Sequence, residues 1–119
     1  MKKISQIGDF GVYLLDKQVA KKYAEDITKI WNLIPLSNHA PEDILQESSG
    51  SSQYYGKWEH SLIVLDEKTE QVVAFVVGYE RAAEKNQLYT KDSLHLKSLS
   101  VAARYQNQGI GRKLITIWL

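Results

Sequence analysis

Late in the sequence, Gln106, Asn107, Gln108, Gly109, Ile110 and Gly111 lead into a basic pair, Arg112 and Lys113, and then into an apolar run. Ile110, Leu114 and Trp118 recur at helical spacing, so the segment reads as a glycine-bearing loop opening a helix. The first N–H groups of such a helix have no intrahelical acceptor, and the helix dipole concentrates partial positive charge on them, which suits a phosphate. Gly109 and Gly111 remove Cβ atoms where a ligand or a neighbouring backbone must approach. Cations in a first turn are unfavourable by roughly 0.3–1 kcal/mol each unless an anion is near, so Arg112 and Lys113 strengthen the anion reading. Two solvated cations beside a tight glycine turn fit the same residues. Neither G-x-x-x-x-G-K-[ST] nor G-x-G-x-x-G fits, because Leu114 stands where a third glycine would be needed.

Other chemistries are excluded by composition. The chain has no cysteine, which removes disulfides, thiolate metal sites and a cysteine nucleophile. His39, His60 and His95 are far apart in sequence without metal-ligand spacing, so no metal is expected. The net charge of +1, from 15 basic and 14 acidic residues, offers no footprint for nucleic acid. Gln6, Gly8 and Asp9 interrupt what would be the apolar core of a signal peptide, and no stretch approaches the ~20 apolar residues of a membrane span. A soluble cytoplasmic protein with no nucleic-acid or membrane partner is the expectation.

The elements that must carry the loop follow from hydrophobic patterning. With 119 residues, 44% of them hydrophobic, the chain is read as one domain over residues 1–119. Phe10 to Leu15 is a run of strand formers, and Asp16 offers a cap to a helix whose buried stripe is Val19, Tyr23, Ile27, Ile30, Trp31 and Ile34, ended by Pro35. Pro41 starts a short further helix, and Ser48 to Gly56 breaks all periodicity as a mobile loop. His60 to Arg81 is a hairpin turning at Glu67 to Glu70, with Val72 to Val77 apolar at every position, as in a strand covered on both faces. Ala82 to Asp92 is a polar connection to a strand over Ser93 to Val101.

That last strand changes parity. Leu94 and Leu96 are apolar at even positions, whereas Leu99 and Val101 are apolar at odd ones. One extra residue near Lys97 and Ser98, a β-bulge, turns both pairs inward. The alternative is a strand end with Leu99 and Val101 packing under the next helix.

Gln106-x-x-Gly109-x-Gly111, placed after "LHLKSLSV" and before an amphipathic helix, resembles motif A of the GNAT superfamily of acyl-CoA-dependent N-acetyltransferases. Together with the preceding hairpin and helices, the resemblance spans nearly the whole chain. It implies an α/β (α+β) fold with a mixed, largely antiparallel central sheet flanked by helices, and acetyl-CoA as cosubstrate without a metal. The backbone N–H groups of Gln108, Gly109, Ile110, Gly111, Arg112 and Lys113 would cradle the coenzyme pyrophosphate, with Gln106 and Asn107 shaping the loop. Leu99, Ser100 and Val101 would offer backbone groups to the pantetheine arm. A substrate amine would attack the thioester directly, in a ternary complex, with His95 or Glu80 as the base. His95 equally fits a solvated histidine, and Glu80 a salt-bridged strand end. Tyr54 and Tyr55 could line an acceptor pocket. The family's strand, helix and final hairpin beyond this motif have no counterpart before Leu119, which implies a truncated domain. Its exposed edge and C-terminal helix are expected to drive homo-oligomerisation. The alternative reading is a catalytically inactive GNAT-like fragment serving as a binding or oligomerisation module.

Overall fold

The computed structural model describes residues 1–46, 54–81 and 93–119. Six strands, β1 (Lys3–Ile7), β2 (Phe10–Leu14), β3 (Tyr54–Tyr55), β4 (Leu62–Asp66), β5 (Val72–Arg81) and β6 (Ser93–Val101), form one sheet with helices α1 (Lys17–Trp31) and α2 (Ile110–Trp118). All pairings are antiparallel, in the order β1-β2-β4-β5-β6. Residues Tyr54 and Tyr55, expected in a mobile loop, instead pair as β3 with Arg81 and Glu80 of β5, on the edge that β4 leaves. Residues 48–53 of that loop and the expected connection, residues 82–92, lie outside the described residues.

Asp16 caps α1 as its position suggests, its Oδ1 accepting from the Val19 N–H at 2.9 Å. Val19, Ala20, Tyr23, Ala24, Ile27, Ile30 and Trp31 bury one stripe against Ile63, Leu65, Phe75, Val77 and Tyr79 of the sheet. The helix ends at Trp31, before Pro35, because the next residues are held in a separate turn. The Asn32 side chain bonds the backbone of His39 twice, donating to its C=O at 3.0 Å and accepting from its N–H at 2.7 Å. Ile34 is thereby left outside the helix and exposed.

The other face of the sheet holds a second core of Val12, Leu62, Val64, Ala74 and Val76 under Ile110 and Leu114 of α2. Val72 to Val77 is accordingly buried throughout, as an uninterrupted apolar run requires in a central strand. The strand β1 was not foreseen, since only Ile7 of its five residues is buried. It is fastened by pairing with β2 and by an exposed Lys3–Glu67 ion pair at 2.9 Å, whose hydrogen bond holds the Glu67 carboxyl below its usual range.

The parity change in β6 is a bulge. Ser98 faces Val77 and Leu96 faces Gly78, so Lys97 is the extra residue. Leu94, Leu96, Leu99 and Val101 then oppose Glu80, Gly78, Val76 and Ala74, which places all four on the α2 face. Sharing a face does not bury all four. Trp118 lies over Gly78, while Leu94 and Leu96 stay 42% and 36% exposed.

Candidate functional site

At the C-terminal end of β6 the chain makes one 3₁₀ turn, Ala103–Tyr105, before the glycine loop. Tyr105 anchors that turn. It is buried, stacks edge-on against Phe10 at 5.3 Å and reaches Asp66 Oδ2 with its hydroxyl. The loop then passes through two left-handed residues, Asn107 at φ 64° and Gly109 at φ 77°. Gly109 is the N-cap of α2 and has open space where a Cβ would stand, so its role is conformational rather than steric. Gln106 shapes the loop as expected, its side-chain amide donating to the Val101 carbonyl at 3.0 Å.

No side chain caps α2, and no acid lies in its first turn. The Lys113 N–H is already donated to Gly109 O at 3.1 Å. The N–H groups free of an intrahelical acceptor are therefore those of Gly109 to Arg112, a narrower set than the sequence suggests. Of these residues Gly109, Ile110 and Gly111 line a concavity of about 350 Å³, together with Val101, Tyr105, Gln106 and Asn107. A Cβ on Gly111 would make only ordinary contacts, 3.7 and 3.8 Å from Val101 and Leu99. The protein itself has room for it, so any demand for glycine at this position comes from a ligand.

Gln108, Arg112 and Lys113 do not line this concavity. Arg112 and Lys113 are exposed and flank a neighbouring hollow against Ser5 to Ile7, and among the described residues neither is ion-paired. They sit at the positive end of the dipole without a compensating anion.

Leu99, Ser100 and Val101 line a second hollow of about 300 Å³, closed on its far side by Ile30, Leu33, Ile34 and Pro35. Ser100 is 8% exposed, and its hydroxyl has no hydrogen-bond partner among the described residues. The two hollows share Val101 and Gln106, so they adjoin. A chain-like ligand whose phosphates sit at α2 has a continuing path along β6.

The two candidate bases are separated by the sheet. His95 opposes Tyr79 on the α1 face, while Glu80 opposes Leu94 on the α2 face. His95 is exposed, two residues ahead of the bulge. Tyr79, beneath it, is 1% exposed, and burial pushes its phenol above the usual range. Glu80 is bonded to His60, with Nε2 and Oε2 3.0 Å apart. Tyr55 is 41% exposed at the same end of β5.

Sequence reasoning missed Tyr105 and the partnership of His60 with Glu80. An aromatic inside the polar run "ARYQNQ" was a usable signal for the first. A separation of 20 positions in sequence hid the second.

Comparison with known proteins bears on the glycine loop and the sheet together. The family model described as "Acetyltransferase (GNAT) family" matches residues 24–117. Among solved structures, a GNAT family acetyltransferase from Staphylococcus aureus superposes with a TM-score of 0.62 at 9% identity, covering 91% of this chain and 73% of that one. The loading GNATL domain of CurA from Lyngbya majuscula gives 0.62 at 14%, covering 92% and 56%. An aminoglycoside acetyltransferase from an uncultured soil metagenomic sample, solved with sisomicin, gives 0.56 at 19%, covering 91% and 66%. At these identities the likeness is one of fold, and the chain spans between about half and three quarters of each relative's length. No curated protein sequence matches.

Proposed function

This chain belongs to the GNAT acetyltransferase family, and from that premise we propose that it transfers an acetyl group from acetyl-CoA to a primary amine. The observation that carries the proposal is the uncapped start of α2. Four N–H groups without an intrahelical acceptor and the helix dipole meet where sequence order places the loop, and two cations, neither ion-paired among the described residues, stand beside it. In this reading the amides of Gly109, Ile110, Gly111 and Arg112 hold the pyrophosphate, with Arg112 and Lys113 contributing charge from outside the hollow. Gln106, Asn107 and Gln108 keep the loop in shape. Leu99, Ser100 and Val101 flank the pantetheine arm, and the unpartnered Ser100 hydroxyl supplies a hydrogen bond to one of its amides.

The donor set fits the cosubstrate, because it offers N–H donors and cations to phosphate and a partly apolar hollow to the arm. The amine nitrogen forms a bond to the acetyl carbon, the carbon–sulfur bond breaks, and the thiolate leaves. His95 takes the amine proton, being exposed and close to the bulge. Glu80 is the second candidate, acting from the opposite face in partnership with His60. Catalysis rests on positioning, with the base worth ~10²- to 10⁴-fold.

A second reading draws on β6, which among the described residues pairs with β5 alone and carries exposed Leu94 and Leu96. There the chain is an inactive module that associates with copies of itself. Calorimetric titration with acetyl-CoA and with desulfo-CoA separates the two readings. Saturable binding of both supports the enzyme. No heat and no shift of the melting temperature support the module. For the base, His95→Gln is expected to lower turnover by ~10²-fold or more with binding of acetyl-CoA unchanged.

A further inference from the structure

The end of β6 remote from the glycine loop carries a separate cluster. Glu59, His60 and Glu80 each present one ligand atom, and these three atoms lie within 4.8 Å of one another. His60 Nε2 and Glu80 Oε2 are 3.0 Å apart, with both side chains about one-third exposed. From these residues we propose a divalent transition-metal site of the zinc class, formed by Glu59, His60 and Glu80.

The donor chemistry fits that class. An imidazole nitrogen with two carboxylate oxygens supplies a mixed N/O set and two negative charges, the balance a divalent ion of intermediate softness takes. Bonds of ~2.0–2.2 Å place tetrahedral ligand atoms about 3.3 Å apart, close to the His60–Glu80 separation. Glu59 is exposed, so its side chain has solvent in which to turn toward the other two.

The main chain of His60 is also held before any ion arrives. The His60 backbone N–H is donated to Lys57 O at 3.3 Å, and the backbone carbonyl accepts the Trp118 indole N–H. Glu80 is fixed in register between Tyr55 and Leu94. Fixing the backbone that carries two of the three ligands lowers the entropy lost on binding. Three protein ligands leave one position of a tetrahedral ion open, the arrangement of zinc sites that hold a water or a substrate atom. With Glu80 committed to a metal, His95 is left as the base of the proposed transfer. The metal site itself does not depend on that transfer.

The test uses the chain without a polyhistidine tag. Zn²⁺ is titrated by calorimetry, and Co²⁺ is titrated while its visible ligand-field absorption is recorded. The proposal expects one equivalent bound and a Co²⁺ spectrum of four-coordinate intensity. His60→Gln and Glu80→Gln are expected to weaken binding at least tenfold. Glu59→Gln, a change on the exposed surface, is expected to weaken it several-fold with the circular dichroism spectrum unchanged. His39→Gln, which removes the His39–Asp43 pair elsewhere, is expected to leave affinity as it was. Absence of stoichiometric uptake overturns the proposal. So does wild-type affinity in both His60→Gln and Glu59→Gln, or a loss in His39→Gln equal to that in Glu59→Gln.

Discussion

The two ends of β6 are built on different principles. At its C-terminal end the site is made of backbone, with N–H groups at an uncapped helix start, two residues held left-handed and a hollow floored by the strand. At its N-terminal end the groups that meet are side chains, His60 and Glu80, drawn from opposite sides of a hairpin. Backbone sites are local in sequence, since the glycines that make them must stand at fixed offsets from the helix they open. Side-chain sites are assembled by topology, and their members carry no mutual spacing.

This contrast implies different responses to substitution. The largest effect is expected at the anchor of the loop. Tyr105→Ala removes a buried ring packed on Phe10 and should cost ~3–5 kcal/mol, read by urea denaturation, with acetyl-CoA binding lost alongside. Tyr105→Phe gives up only a long hydrogen bond to Asp66 and should cost well under that. An equally small loss in Tyr105→Ala would mean that the loop is not anchored there.

Next comes Gly109→Ala. A side chain at φ 77° should cost about 1–2 kcal/mol by the same measurement, because the left-handed region crowds a Cβ against the carbonyl. Gly111→Ala divides fold from function. The added methyl meets only ordinary contacts, so stability should stay within ~0.5 kcal/mol of wild type. Affinity for acetyl-CoA should nonetheless fall about tenfold, equivalent to ~1.4 kcal/mol, because the methyl intrudes on the hollow. Unchanged affinity would remove the reason for placing phosphate at these amides.

The smallest effect belongs to the other end of β6. The Tyr79 phenol is raised above 10.0 by burial. A group whose folded pKa lies above its unfolded one contributes stability that is whole below the unfolded value and is lost as pH climbs through the folded one. Wild-type stability should therefore decline above pH 10 more steeply than that of Tyr79→Phe, as seen in melts over that range. Parallel slopes would show that the phenol ionises alike in both states.

The same division explains what could be read from sequence. The Asp16 cap, the turn at Glu67 to Glu70 and the bulge at Lys97 were legible, because each leaves a mark within a few residues. The strand β1 was not, as its sole buried residue is Ile7 and its pairing depends on β2. For α1, apolar spacing ran on to Ile34, but Asn32 binds the His39 backbone and ends the helix earlier. The motif located the loop, though not which amides are free, since that depends on the Gly109 carbonyl accepting from Lys113. His60 carried no signal at all until the hairpin set it beside Glu80.

The central claim is that coenzyme A phosphates sit on the amides that open α2. Its most direct test is the amide spectrum of the ¹⁵N-labelled chain titrated with coenzyme A. The account predicts that Gly109, Ile110, Gly111 and Arg112 move most, saturably, while the Lys113 amide, already bonded to Gly109, moves less. Shifts spread evenly over the surface, or confined to β1 and the exposed lysines, would contradict it.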